Sequence, residues 1–175
     1  HLEVFKQQNI EVLLLSDRVD EWLMSFMTEF DGWSFQDIMR GELDLPDVDK
    51  PKDFDDDPLI QRIQDVLGEK VESVRRSTRL TDSAACLVLG DDDMGQQMRQ
   101  IMEASGQSVP DSKPHFEING DHPLVGRLDV EADEDRFRDM VLILFDQASL
   151  ADGSALLEPG EYVNRINRLL LDLLE

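Results

Sequence analysis

Cys86 is the only cysteine among 175 residues and stands inside the apolar run Ala84-Ala85-Cys86-Leu87-Val88-Leu89. Such surroundings bury a thiol and raise its pKa, the reverse of what a nucleophile needs. The histidines are His1, His115 and His122, and none falls in a metal-ligand spacing such as His-Glu-x-x-His. His122 precedes Pro123 in turn chemistry, where a structural role outweighs a catalytic one. Carboxylates are abundant, but the run Asp55-Asp56-Asp57 lacks the alternating ligands and Gly turn of a calcium loop. No Gly-rich phosphate loop is present. The residues therefore suggest no catalytic set, no metal site and no cofactor within this chain.

Two other groups carry more promise. Met94, Met98, Ile101 and Met102 recur at helical spacing, which fits either a core face or an adaptable surface, since methionine is flexible and polarizable. Trp22 lies on an amphipathic stretch, where a core position is the default.

Hydrophobic residues make up 41% and charged residues 32% of the chain, a normal globular mixture. The net charge of −22 repels phosphate backbones and anionic membrane surfaces, which excludes nucleic acid and membrane as expected partners. One cysteine permits no intrachain disulfide, which suits a cytoplasmic location. No apolar run approaches the roughly 18 residues of a membrane span.

The elements that would position these residues follow from the apolar pattern. Ile10 to Leu15 predicts a buried strand, and Ser16 or Asp17 caps a helix through about Phe30, with Val19, Trp22, Leu23, Phe26 and Phe30 at helical spacing. Asp31-Gly32 is then the helix end. A strand leading into a helix is half of a βαβ unit, so its partner strands are expected upstream and the chain reads as a fragment. Arg40 to Pro58 is rich in Pro, Asp and Glu and reads as a solvated linker. Asp57-Pro58 supplies the N-cap and first residue of a helix bearing Leu59, Ile60, Ile63, Val66 and Leu67, which Gly68 stops. Val71 to Leu80 and Ala84 to Leu89 read as extended, and Asp91-Asp92-Asp93 opens a helix to about Ala104. His115 to Ile118 is a third strand, and Asp121 is expected to cap a short helix at Pro123, Leu124 and Val125. The last third is helical. Glu134 to Leu150 carries Phe137, Met140, Val141, Leu144, Phe145 and Ala148 on one stripe, with Leu142 and Ile143 outside it. The helix from Pro159 carries Val163, Ile166, Leu170, Leu173 and Leu174, widened by Leu169 and Leu171. Apolar faces wider than roughly 100° must be covered on two sides, and a second subunit is the expected cover.

Several blocks resemble the ninety-kilodalton heat-shock protein family, of the bacterial HtpG type. Ile10-Glu11-Val12-Leu13-Leu14-Leu15 followed by Asp20-Glu21-Trp22 resembles the end of that family's middle domain. Arg79-Leu80-Thr81-Asp82-Ser83-Ala84-Ala85-Cys86, the Met-rich stretch Met98 to Ala104, and Phe116-Glu117-Ile118-Asn119-Gly120-Asp121-His122-Pro123-Leu124-Val125 are similar to blocks of its C-terminal domain, in the same order. The ending Leu173-Leu174-Glu175, without a Glu-Glu-Val-Asp tail, matches the bacterial type. Ser25 departs from the Asn found beside the Trp in bacterial members, and Gly95 costs its helix about 1 kcal/mol relative to Ala.

The resemblance implies an α+β fold in three parts. Residues 1–40 end an α/β middle domain and residues 41–57 form an acidic linker. Residues 58–175 form a C-terminal dimerisation domain, whose helices lie on a small three-stranded sheet and close a dimeric four-helix bundle. It implies a homodimeric, ATP-dependent chaperone that assists folding and binds unfolded or partly folded clients, with other chaperones as further partners. ATP and Mg would belong to an N-terminal domain outside this sequence. Client contacts fall on Trp22, Met94, Met98, Ile101 and Met102. The dimer interface falls on Leu142, Ile143, Val163, Ile166, Leu169, Leu170, Leu171, Leu173 and Leu174. A stand-alone dimeric scaffold or regulatory domain is the alternative, against which the half-finished βαβ start argues.

Overall fold

A computed structural model describes residues 2–17, 19–41, 43, 45, 57–90, 93, 99, 101, 102, 104–108, 112–172 and 174. Helix α1 spans Glu3–Gln7 and α2 spans Asp20–Met24, followed by a small hairpin of β1 (Glu29–Phe30) and β2 (Trp33–Ser34). Helix α3 (Pro58–Leu67) leads through a short 3₁₀ turn to β3 (Ser73–Arg76), then β4 (Ala85–Val88) and β5 (His115–Ile118). Helices α4 (Pro123–Asp129), α5 (Glu134–Ala151) and α6 (Pro159–Asp172) complete the α+β chain. Among the described residues no helix is long and apolar enough to cross a membrane.

The three longer strands form one sheet in the order β3-β5-β4, with β3 parallel and β4 antiparallel to the central β5. Successive side chains on a strand face opposite ways. Phe116 and Ile118 therefore point to the helical side, where they join Ile63, Leu67, Leu128, Phe137 and Val141 in the main core. Burying each such side chain contributes about 1.5–3 kcal/mol. Arg62 also stacks its guanidinium over the Phe137 ring at 3.8 Å.

The helices begin where side chains satisfy their free N–H groups. The Asp57 carboxylate accepts from Leu59 N–H with Pro58 at the first position, as the sequence suggests. Its other oxygen pairs with Arg76 at 2.8 Å, tying the start of α3 to β3. Asp133 accepts from the N–H groups of Asp135 and Arg136 at the start of α5. Helix α4 differs from expectation, because its cap is His122, whose Nδ1 accepts from Leu124 N–H, and not Asp121.

The first forty residues depart most from the pattern-based reading. Ile10 to Leu15 forms no strand, and Leu13, Leu14 and Leu15 are exposed. A strand requires a neighbour for its N–H and C=O groups, and no described strand lies alongside this run. The expected long helix to Phe30 is only the five residues of α2. Asp31-Gly32 is the turn of the hairpin, with φ of 51° and 81°, the left-handed geometry that Asp-Gly adopts between paired strands. With the helix shortened, Val19, Trp22, Leu23, Phe26 and Phe30 stay exposed instead of facing a core. The expected linker starts as packed chain, since Gly41 and Leu43 are buried, Leu43 against Val4 and Phe5. The rest of that acidic stretch, residues 46–56, lies outside the described residues, as does most of the helix expected from Asp91.

Candidate functional site

The face of the sheet away from the helices carries a buried ionic cluster beside an apolar patch of Leu80, Cys86 and Val88. The register places Glu117 of the central strand between Arg75 on β3 and Cys86 on β4. Glu117 is 3% exposed, and Arg79, on the loop after β3, is 1% exposed. Arg79 grips the carboxylate with two bonds, Nε to Oε2 at 2.9 Å and Nη2 to Oε1 at 3.2 Å. Arg75 Nε donates to Oε1 at 3.0 Å, and the Ser77 hydroxyl donates to Oε2 at 2.9 Å. Other guanidinium hydrogens reach back to the N-terminal segment. Arg79 donates to the carbonyls of Ile38 at 2.5 Å and Gly41 at 2.6 Å, and Arg75 donates to Gly41 at 3.1 Å. Beside this, Gly41 N–H donates to the Leu89 carbonyl at 2.9 Å and Leu89 N–H to the Met39 carbonyl at 3.1 Å. One buried ionic cluster thus joins the N-terminal segment to the C-terminal sheet.

One signal of this cluster is present in the sequence. Glu117 sits between Phe116 and Ile118 in the central strand, and a charge at a covered strand position requires a partner. The partner is Arg79, 38 residues away.

The chemically suggestive residues have structural surroundings. The Cys86 thiol is pushed up to about 12 by burial and by the neighbouring Glu117 charge. His115 Nδ1 lies 2.8 Å from the Ser73 hydroxyl, and burial together with the Arg75 charge lowers its pKa. Asn119 donates from Nδ2 to the carbonyls of Thr81 and Ser83, so the Asn-Gly-Asp-His-Pro block pins the loop before β4. Among the described residues no cluster of three or more His, Cys, Asp or Glu could hold a metal ion.

The expected client residues divide three ways. Trp22 is 58% exposed and meets Phe26 edge-on at 5.2 Å, so it is no core residue among the described residues. Ser25 donates its hydroxyl to the Trp22 carbonyl at 2.6 Å. Ile101 is exposed and Met102 half-buried, both in helical backbone. Met94 and Met98 lie outside the described residues.

The expected dimer residues also differ among themselves. Ile143 is 6% exposed within the single chain and has almost no surface left for a partner. Leu142 is half-buried against the main core. On α6, Val163, Leu170 and Leu171 are exposed, while Ile166 and Leu169 are half-buried, and Leu174, just past the helix, is 83% exposed. Leu173 lies outside the described residues. Helix α6 is held to α5 by ion pairs of Arg165 with Asp146 at 3.2 Å and of Arg168 with Asp139 at 3.1 Å.

Glu117→Gln keeps the shape of the side chain but leaves Arg79 buried without its anion, and should destabilise the chain by about 3–5 kcal/mol in urea unfolding. Replacing Arg79 by Met and Glu117 by Leu together should recover part of that loss, because both buried charges disappear. A single-mutant cost near zero would contradict the pairing.

A family model described as Hsp90 protein matches residues 1–175, from the N-terminal segment through the Arg79–Glu117 cluster and the Asn119 turn to the last helix. That match runs the whole length of the chain, and the protein belongs to the Hsp90 family of heat-shock chaperones.

Proposed function

We propose that this chain is the dimerisation and client-binding portion of an ATP-dependent chaperone of the bacterial HtpG type, working in the cytoplasm. Helix α6 carries the reading. It has no buried residue along its 14 positions, yet it exposes Val163, Leu170 and Leu171, with Leu174 just beyond its end. Patches of this kind on a soluble protein mark interaction sites. A second copy is the occupant we favour, because α5 and α6 are antiparallel-packed helices joined by a short loop, and two such pairs close a four-helix bundle. A stable interface of this type buries on the order of 1,600 Å² in total. Since Ile143 is occupied within the protomer, α6 supplies most of the contact and α5 contributes Leu142 at its margin.

Client binding rests on Trp22, Ile101 and Met102 in this reading, with Met94 and Met98 completing the stripe. Unbranched thioether side chains suit dissimilar apolar partners better than a fixed core does. ATP and Mg are assigned to an N-terminal domain outside this sequence, and the acidic chain itself to protein partners only.

Removing Tyr162 to Glu175 should turn a dimer of about twice the chain mass into monomers or aggregates, read by light scattering on a sizing column. A monodisperse dimer after that truncation would sink the assignment. Met98→Lys should leave the melting temperature nearly unchanged while weakening capture of an unfolded model protein by the full-length chaperone. A loss of several kcal/mol in stability, the signature of an unpaired buried charge, would return that face to the core.

A further inference from the structure

The loop between β3 and β4 holds a second, separate arrangement. The Glu3 carboxylate, in the first turn of α1, sits against Thr81, Asp82 and Ser83. Its Oε2 accepts from the N–H groups of Thr81 and Asp82, each at 2.7 Å, and of Ser83 at 3.1 Å. Its Oε1 accepts from Ser83 N–H at 3.2 Å and from the Ser83 hydroxyl. Every one of these donors is a backbone N–H or a hydroxyl. Successive N–H groups aimed at one point make a concavity of partial positive charge that takes an anion.

The loop owes its shape to other residues. Asn119, which is 5% exposed, donates from Nδ2 to the Thr81 carbonyl at 3.2 Å and the Ser83 carbonyl at 3.1 Å. In a trans peptide the C=O and the following N–H point opposite ways. Drawing the Thr81 carbonyl to Asn119 therefore turns Asp82 N–H toward Glu3. At the loop's start the Ser77 hydroxyl accepts from the N–H groups of Arg79 and Leu80, each at 3.2 Å.

We propose that the Thr81–Ser83 turn is a preformed carboxylate-binding site and that Glu3 is its resident ligand, a latch fastening α1 to the loop of the sheet. Burial acts to raise the Glu3 pKa, but the Ser83 hydroxyl and the three N–H groups outweigh it and hold it at about 2. The latch carboxylate is thus ionised throughout the neutral range, and its contribution to stability is lost only as pH falls from the ordinary 4.5 through about 2. The neighbouring contact, Val4 N–H to the Arg79 carbonyl at 3.3 Å, is long, so the carboxylate is the stronger tie at this point. The proposal stands independently of the chaperone reading.

The test uses the whole chain, labelled with ¹⁵N. In Glu3→Ala the amides of Thr81, Asp82 and Ser83 should shift and exchange about tenfold faster or more, as loss of charge-assisted bonds implies. Sodium acetate should then restore their shifts saturably, while sodium chloride of equal ionic strength should not, and acetate should leave the parent chain unchanged. Glu3→Gln, which preserves shape without charge, should show the same loss of protection in weaker form. Three amides indifferent to acetate in Glu3→Ala, or equally responsive in the parent, would overturn the site. Unchanged protection in Glu3→Gln would overturn the role of the charge.

Discussion

A carboxylate at the centre of a sheet has to be neutralised in place, because an isolated buried charge costs several kcal/mol or more. Glu117 is such a group, and much of the structure is arranged around it. Arg79 meets it with the two-bond geometry that only a guanidinium provides. Each guanidinium has more hydrogens than one carboxylate can accept, and in a dry site those hydrogens need acceptors of their own. The carbonyls of Ile38 and Gly41 supply them. The burial of a single charge in β5 thus dictates where a segment nearly eighty residues upstream must lie. Satisfied polarity adds to the apolar packing nearby, where Val4, Phe5 and Leu43 form one small cluster and Leu80, Cys86 and Val88 another.

The two faces of the sheet consequently do different work. On the helical side, Phe116 and Ile118 anchor a conventional core with α3, α4 and α5. On the other side lie the Glu117 cluster and the apolar trio Leu80, Cys86 and Val88, and the N-terminal segment is tied there through Ile38, Gly41 and Glu3. Cys86 is trapped in that second layer, where its high pKa makes it a filler and not a reagent. Helix α6 packs on α5 outside both layers, and Val163, Leu170 and Leu171 along it stay exposed. In this member of the Hsp90 family, one face of the sheet is thus committed to the upstream segment and the other to the helical core.

What the sequence made legible follows from where the determinants are local. Asp57-Pro58, the stripe of α5 and the alternation of β5 carry their information within a few residues, and all three elements formed as the pattern suggests. Where the outcome depends on distant partners, local reading failed. Ile10 to Leu15 has strand composition but no described neighbour to pair with. Asp31-Gly32 serves helix ends and hairpins alike, and only the pairing of Phe30 with Trp33 decides between them. The site residues show the same division. Exposure of α6 could be inferred from its wide apolar face, whereas burial of Ile143 depended on how α5 rotates onto the sheet. The Arg79–Glu117 pair was the least visible, being made by residues far apart in the chain.

Arg79→Lys probes the central coupling most directly, because lysine keeps the charge but cannot span Glu117, Ile38 and Gly41 together. Hydrogen exchange in this variant should accelerate together at Val4, Gly41 and Leu89, whose amides close the junction, while amides inside α5 keep their protection. If those three amides exchange as in the parent chain, the guanidinium does not hold the segment to the sheet.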